Sequence, residues 1–187
     1  MKKAYHVEKV WIKGSNVCVV LLNLHAGDRY GYVGITPNHP LYNVRYNDEI
    51  DIDRDYLIKK NPKIDDIGII NAFIAACSDH VEPSFVLEVH GGLSYSKGHF
   101  NYPIDVSCPY KLTTRSCATI IYPLWWFGFD CGHYGDSPDY EAVRLITGKD
   151  PDYIFTLYSG TVRTLDYCID QTNQLSDQLD AIQGELS

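Results

Sequence analysis

Residues 16–24 read Asn-Val-Cys-Val-Val-Leu-Leu-Asn-Leu, and the six residues from 17 to 22 form an unbroken apolar run. A short run of β-branched and aliphatic residues is typical of a strand that is buried on both faces. Strands are also predicted on either side of it, at 4–12 and 29–35, and two prolines in the next five residues force a loop. The first third of the chain is therefore predicted to be an antiparallel meander.

The C-terminal segment has helical periodicity. Two sets of residues spaced seven apart form one apolar stripe: Leu165, Thr172 and Leu179, and Cys168, Leu175 and Ile182. Thr161 is the predicted N-cap and Gly184 the predicted end of the helix. We expect the stripe to cover the sheet, and pairing with a second copy of the chain is the alternative. The predicted fold class is α+β, a mostly antiparallel twisted sheet with the C-terminal helix packed on it, in a single domain spanning 1–187.

The middle of the chain is less regular. Strands are predicted at 84–89, 118–122 and 125–130, and a short helix at 67–78. The acidic stretch 46–66 lacks the glycine and the final glutamate of a calcium-binding EF-hand loop, so it is interpreted as a solvated excursion.

Composition limits the classes of partner. The formal net charge of −8 disfavours binding to a DNA or RNA polymer, although a few local cations such as Arg29 could still hold one small anion. No apolar run approaches the roughly 18 residues of a spanning helix, so no membrane is expected as a partner. Six cysteines are scattered without a C-x-x-C pair, which favours free thiols in a reducing cytoplasm.

Two segments share one design, a predicted strand that ends in a turn with a histidine next to glycine. The first is His90-Gly91-Gly92, and the second is Asp130-Cys131-Gly132-His133-Tyr134-Gly135-Asp136. Glycine after a strand lets the backbone turn sharply and approach a ligand closely. We therefore expect the two turns to meet in space and to form one site.

Several chemistries are compatible with these turns. His90, Asp130, His133 and Asp136 are the catalytic candidates, and the same four residues offer the mixed nitrogen and oxygen ligands of a divalent metal site. Their spacing matches no established metal motif, so the expectation is no cofactor, with a divalent metal as the alternative. A Cys131 thiolate is disfavoured because Asp130 raises the thiol pKa. The chain also lacks the glycine-rich motifs of nucleotide hydrolases and dinucleotide oxidoreductases.

Binding without catalysis is the other interpretation. Tyr42, Tyr95 and Trp126 offer flat faces on which a base could stack. Phosphate contacts are assigned to His90 and to the backbone amides of the two following glycines, and ribose or base contacts to Asp130, His133 and Asp136. The predicted ligand is therefore small and nucleotide-like.

The strings GYVGITPNHPLY, VHGGLSYS and WWFGFDCGHYGDSPD, followed by the helix VRTLDYCIDQTNQLSDQL, resemble a family of small phage-encoded accessory proteins. These share a GYVG…HPLY segment, an HGGLTYS-like turn, a WWFGFDCAHAGD-like turn and a closing helix, in that order. The resemblance runs from about residue 30 to the C-terminal helix, and Gly132 and Tyr134 replace alanines of the family. The matching residues are His39, Pro40, Tyr42, His90, Gly91, Gly92, Tyr95, Trp126, Phe129, Asp130, Cys131, His133, Gly135 and Asp136.

This family has no firm activity, so the resemblance implies an origin and not a reaction. It implies an anti-defence protein in the cytoplasm of an infected bacterium. Our leading hypothesis is that it binds and sequesters a small nucleotide-derived immune signal. The alternatives are a metal-assisted or His-based phosphodiesterase that degrades such a signal, and a protein–protein inhibitor that uses the acidic surface and the C-terminal helix. The candidate ligand-binding residues are His39, Tyr42, His90, Gly91, Gly92, Tyr95, Trp126, Asp130, His133 and Asp136.

Overall fold

A computed structural model describes residues 4–50, 81–98, 124–149 and 160–186. They contain an antiparallel sheet in the order β1-β2-β3-β5-β4, formed by β1 (Tyr5–Lys13), β2 (Asn16–Asn23), β3 (Arg29–Ile35), β4 (Tyr95–Gly98) and β5 (Trp125–Asp130). The helices are α1 (Pro83–Val86), α2 (Tyr140–Thr147) and α3 (Leu165–Leu186), and a short parallel pair joins β6 (Asp136–Ser137) to β7 (Thr161–Val162). The predicted α+β fold and the N-terminal meander are confirmed. The predicted helix at 67–78, the strand at 118–122 and most of the acidic stretch lie outside the described residues.

Helix α3 covers one face of the sheet. The stripe residues Cys168, Thr172, Leu175, Leu179 and Ile182 are all buried. Its apolar members share a core with residues from β2, β3 and β5, namely Cys18, Val20, Val33, Phe127 and Phe129. A Cβ atom at Gly31 would overlap the Phe129 ring and crowd the Thr172 hydroxyl, so glycine lets the helix approach β3 closely. The prediction that the stripe covers the sheet is confirmed.

The opposite face of the sheet is buried as well. Val17, Val19 and Leu21 form a second apolar cluster there with Tyr32 and Trp126. Burial of both faces explains why the strand from 17 to 22 shows no alternation of apolar and polar residues. Within the described ranges, no helix has the length and apolar character needed to cross a bilayer.

Two predicted boundaries were wrong. The hydroxyl of Thr164, and not that of Thr161, accepts a hydrogen bond from the amide of Tyr167 and caps α3. At the other end the helix continues through Gly184 to Leu186. Thr161 instead pairs with Asp136 in the β6–β7 ladder.

The segment predicted as a strand at 84–89 begins instead with the one-turn helix α1. Pro83 occupies its first position, where a backbone N–H would have no partner within the helix, so proline loses nothing by lacking one. Its fixed φ also favours the helix. The chain then runs along α3, where the Gln178 side-chain amide bonds both the N–H and the C=O of Glu88. A side chain thus satisfies the backbone groups that a neighbouring strand would otherwise have bonded.

Arg29 links four parts of the fold and is not an anion receptor. Its buried guanidinium bonds both carboxylate oxygens of Glu8, at 2.7 and 3.0 Å. It also bonds Asp139 Oδ2 at 2.7 Å and the carbonyl of Arg163 at 2.9 Å. Asp139 in turn caps α2 through the amide of Ala142. Arg29 therefore fixes the backbone of the segment that carries Arg163 into the candidate site.

Candidate functional site

The two histidine-containing turns have the same backbone design. In the first, the amide of Gly92 donates to the carbonyl of Val89, and in the second the amide of Asp136 donates to the carbonyl of His133. Gly91 and Gly135 occupy the third position of these turns with φ values of 66° and 90°, a conformation that side chains disfavour. The turns meet, because the His90 and His133 rings have centroids 5.6 Å apart.

His90 lies at the centre of a hydrogen-bonded chain. Its Nε2 atom is 2.7 Å from Asp136 Oδ2, and its Nδ1 atom is 2.9 Å from the hydroxyl of Tyr167. A carboxylate can only accept, so in the neutral imidazole the proton lies on Nε2 and Nδ1 accepts from Tyr167. The backbone amide of His90 donates to Gln171 Oε1, which attaches the turn to α3. We call Tyr167, His90 and Asp136 the relay.

Asp136 is the buried anchor of the relay. Its Oδ2 accepts from His90 and from the amide of His133, and its Oδ1 accepts from Arg163 Nε at 2.7 Å. Burial acts to raise the pKa of this carboxyl, but the hydrogen bonds from His90, Arg163 and the His133 amide outweigh it and lower the pKa. Asp136 therefore stays ionised and holds the His90 ring in one tautomer.

Arg163 and Tyr167 complete the exposed side of the relay. The Arg163 guanidinium lies over the Tyr167 ring, with its carbon 5.0 Å from the ring centroid. Burial raises the pKa of the Tyr167 hydroxyl more than Arg163 lowers it, so the hydroxyl is protonated at neutral pH. Tyr167 thus needs a base to become a nucleophile, and His90 Nδ1 is within hydrogen-bonding distance of it.

A second group of polar residues lies at the end of β5. Asp130 accepts from the Ser94 hydroxyl at 2.9 Å and from the amide of Gly132 at 3.1 Å. The carboxylate of Asp28 lies on the same side of Gly132 as that of Asp130, because a Cβ atom on Gly132 would be 3.3 Å from Asp28 and 3.4 Å from Asp130. Tyr95 pairs with Gly128, two residues before Asp130 on the same face of β5. We call Asp28, Asp130 and Ser94 the acidic rim.

His133 lies between the relay and the acidic rim. Its Nε2 atom packs against Gly91 and is 3.6 Å from Asp130 Oδ1, which is too long for a hydrogen bond. Among the described residues this nitrogen has no hydrogen-bond partner, although the atom itself is buried. The position of the His133 ring therefore depends on its packing against Gly91 and not on a hydrogen bond.

The structure brings together only part of the predicted set. His90, Gly91, Asp130, His133 and Asp136 meet at the site, and Tyr95 lies beside it on the sheet. His39 is buried and bonds the carbonyl of Leu179, twelve residues and about 18 Å along α3 from Tyr167. Its other ring nitrogen accepts from the amide of Leu41. His39 therefore holds a loop on the helix and is not at the site.

Two predicted aromatic residues are also elsewhere. Tyr42 packs against Trp125, which lies five residues and about 17 Å from Asp130 along β5. Trp126 is buried in the second apolar cluster, roughly 14 Å from Asp130 by the same spacing. Both contribute to packing between the sheet and its surroundings, so stacking of a ligand on them is not supported by their positions.

The predicted phosphate contact through backbone amides is not supported for Gly92. Its N–H already donates to Val89 in the turn. In the second turn, Asp130 and Asp136 accept from the amides of Gly132 and His133. Among the described residues, Arg163 is the only cation that contacts the relay. Its two terminal nitrogens have no hydrogen-bond acceptor in the described part of the chain.

Sequence reasoning missed four residues of the site. These are Arg163, Tyr167, Asp28 and Ser94. Arg163 precedes the cap residue Thr164 and Tyr167 lies in the first turn of α3, so no helical spacing links the two in the sequence. Nothing in the sequence places that turn beside His90, since Tyr167 lies 77 residues away in the chain.

Gly91→Ala is expected to destabilise the fold more than Gly92→Ala. Both positions have positive φ, so each substitution should cost about 1–2 kcal/mol from backbone strain. Only at Gly91 would the new methyl group overlap the His133 ring, whereas Gly92 faces open space. Urea denaturation of both variants measures the difference, and the His133 ring resonances should shift only in Gly91→Ala. Equal costs with an unmoved ring would contradict the contact.

Asp28→Asn is expected to stabilise the protein at pH 8 and to have little effect near pH 4. Burial, followed by the charges of Asp130 and Asp136, raises the pKa of Asp28 to about 6. A folded-state pKa above the unfolded value contributes stability that is complete below pH 4 and is lost as the pH rises through 6. Asp28 is partly solvated, so after screening we expect a gain of about 1 kcal/mol at pH 8. Urea denaturation at both pH values measures it, with the exposed Asp170→Asn as the control, and a gain that does not depend on pH would rule out this cause.

No family model, curated protein or solved structure matches this chain. The resemblance to phage accessory proteins therefore stays a prediction. In the part of the chain that the structure describes, no group of three or more His, Cys, Asp or Glu residues is arranged to hold a metal ion. His90 Nε2, one of the predicted metal ligands, bonds Asp136 instead.

Proposed function

We propose that the protein cleaves a phosphodiester bond in a small nucleotide-derived signal, using side chains of the relay. The observation that carries this proposal is the unbroken chain from Tyr167 through His90 to Asp136, with contacts of 2.9 and 2.7 Å. A nucleophile within hydrogen-bonding distance of a base, with a third group orienting that base, is the general arrangement for covalent catalysis. Asp136 orients His90, His90 is the base, and Tyr167 is the nucleophile.

The first step transfers the phosphoryl group to the enzyme. His90 Nδ1 takes the hydroxyl proton as the Tyr167 oxygen attacks phosphorus, and Asp136 stabilises the imidazolium that forms. The bond from phosphorus to the leaving oxygen breaks on the opposite side of phosphorus, and that oxygen takes a proton from solvent. In the second step water attacks the phosphotyrosyl group and gives up a proton to solvent, while the His90 imidazolium returns its proton to the departing Tyr167 oxygen. Atoms and charge balance over the two steps as a hydrolysis.

Arg163 supplies the positive charge that this reaction requires. The phosphoryl oxygens gain negative charge as phosphorus is attacked, and a fixed cation beside them lowers the barrier. The Arg163 side chain is held by Asp136 through Nε and lies over the Tyr167 ring. Its terminal nitrogens are therefore directed by a buried anchor, which is what bidentate recognition of phosphate needs.

The acidic rim would bind the uncharged part of the substrate. Asp28 and Asp130 repel phosphate but accept hydrogen bonds from ribose hydroxyls or from an exocyclic amine. Ser94 and the neighbouring Tyr95 add a hydroxyl and an aromatic face. This division places the phosphate at Arg163 and the sugar or base at the end of β5.

Sequestration of the same ligand without cleavage is the second candidate. It is favoured by the completeness of the relay, since both nitrogens of His90 and both oxygens of Asp136 already have partners in the protein. A fully bonded network also makes a rigid wall for a ligand. In either case the resemblance supports a setting inside an infected bacterium, where loss of the signal would protect the phage.

One incubation separates these functions. The protein is mixed with a panel of cyclic dinucleotides, heat-denatured, and the supernatant is analysed by chromatography and mass spectrometry. We expect linear products, formed equally in the presence of EDTA. Recovery of intact nucleotide after depletion from solution indicates sequestration, loss of activity with EDTA indicates the metal-assisted alternative, and no depletion of any nucleotide contradicts both proposals and points to a protein partner.

A further inference from the structure

Two buried thiols meet directly beneath the candidate site. Cys131 Sγ and Cys168 Sγ are 3.4 Å apart, and both residues are free cysteines with almost no exposure. A disulfide needs the two sulfur atoms at about 2.05 Å, so a relative movement of a little more than 1 Å would be enough to form the bond. Neither thiol has a part in the relay chemistry.

The position of this pair ties it to the site. Cys131 directly follows Asp130 at the end of β5, and Cys168 directly follows Tyr167 in the first turn of α3. The two cysteines are 37 residues apart in the chain, and β5 and α3 carry Asp130 of the acidic rim and the nucleophile respectively. A bond between the two sulfurs would join both halves of the site covalently.

We propose that Cys131 and Cys168 form a reversible disulfide when the protein meets a small peroxide, and that this bond locks the end of β5 onto α3. One thiolate attacks a peroxide oxygen, giving a sulfenic acid and water. The other thiolate attacks the sulfenic sulfur, forming the S–S bond and releasing a second water. The two thiols lose two electrons and the peroxide gains them, and two molecules of a low-molecular-weight thiol return the pair to the reduced form as they are oxidised to their own disulfide.

The pair is protected against rapid oxidation. The hydrogen bond to Cys168, followed by burial, raises the pKa of the Cys131 thiol. The reactive thiolate is therefore scarce at neutral pH, and the reaction should accelerate as the pH rises. This inference does not depend on the proposed phosphodiesterase activity, because the bond is detected by mass and not by turnover.

The experiment uses reduced wild-type protein treated with hydrogen peroxide at pH 7 and pH 9. Remaining thiols are blocked with N-ethylmaleimide during unfolding, and a digest without reductant is mapped by mass spectrometry. We expect a linked peptide that contains Cys131 and Cys168, two hydrogens lighter than the sum of its parts and formed faster at pH 9. Cys18 is the matched control, because it is equally buried but has no sulfur neighbour among the described residues, and it should be recovered alkylated.

Thermal unfolding provides a second readout that does not rely on variants. The oxidised wild type should unfold at a temperature several degrees higher than the reduced form, because the bond restricts the unfolded chain. Cys131→Ser and Cys168→Ser should each lose the rise in unfolding temperature that peroxide produces in the wild type. The proposal would be overturned if Cys131 and Cys168 were recovered as alkylated thiols under conditions in which peroxide has already oxidised Cys18. It would also be overturned if either cysteine appeared in a disulfide with another partner.

Discussion

Tyr167→Phe is expected to reduce phosphodiester cleavage about a thousandfold or more while leaving substrate affinity nearly unchanged. The substitution removes one hydroxyl and keeps the ring on which Arg163 rests. Loss of a nucleophile lowers kcat, whereas contacts that bind substrate and transition state equally affect KM. Single-turnover kinetics and equilibrium binding of the same nucleotide measure the two quantities separately.

The control for this prediction is Tyr134→Phe. Tyr134 is fully exposed at the tip of the second turn and has no part in the relay, so its loss should leave kcat and KM as in the wild type. Unchanged cleavage in Tyr167→Phe would remove Tyr167 as the nucleophile. Weaker binding with unchanged kcat would instead mean that Tyr167 only binds the ligand.

Asp136→Asn is expected to destabilise the folded protein by about 3 kcal/mol at pH 7. The carboxylate has 3% side-chain exposure and accepts from three donors, two of which are His90 and Arg163. Asparagine keeps one acceptor oxygen but presents an NH₂ group to one of those donors. Removing one partner of a buried charged network is costly because the remaining groups lose their hydrogen bonds without regaining water.

The pH dependence of Asp136→Asn provides its own check. The folded-state pKa of Asp136 lies below the ordinary aspartate value, so its contribution to stability is present at neutral pH and is lost as the pH falls through that lowered pKa. The difference in unfolding free energy between wild type and variant should therefore shrink in acid. Urea denaturation at pH 7 and pH 3 measures it, and Asp170→Asn, on the exposed side of α3, should cost less than about 0.5 kcal/mol. A cost for Asp136→Asn as small as that of the control would contradict the buried network.

The sheet and the C-terminal helix could be predicted because each has a local pattern. The apolar run from 17 to 22 and the seven-residue stripe of α3 are readable from side-chain spacing alone. The segment at 84–89 was misread because its backbone is satisfied by the Gln178 side chain, a partner 90 residues away in the chain. Apolar composition predicted a strand there, and tertiary contacts decided otherwise.

The candidate site could be predicted in part, for the same reason. Glycines beside the two histidines marked the turns of His90 and His133, since positive φ values favour glycine and so leave a trace in the sequence. Arg163 and Tyr167 left none, because their roles come from the β6–β7 ladder and from the docking of α3. His39 shows the opposite error, because its sequence context predicted a site residue. In the fold it is buried and its ring bonds the carbonyl of Leu179 in α3.

The relay itself is tested most directly by nitrogen-15 NMR of the His90 side chain. We predict that the His90 ring carries a proton on Nε2, with a solvent-protected, strongly downfield Nε2–H signal that disappears in Asp136→Asn. Tyr167→Phe should keep that proton and change the shift of Nδ1. A His90 ring that averages between tautomers, or that carries its proton on Nδ1, would contradict the account.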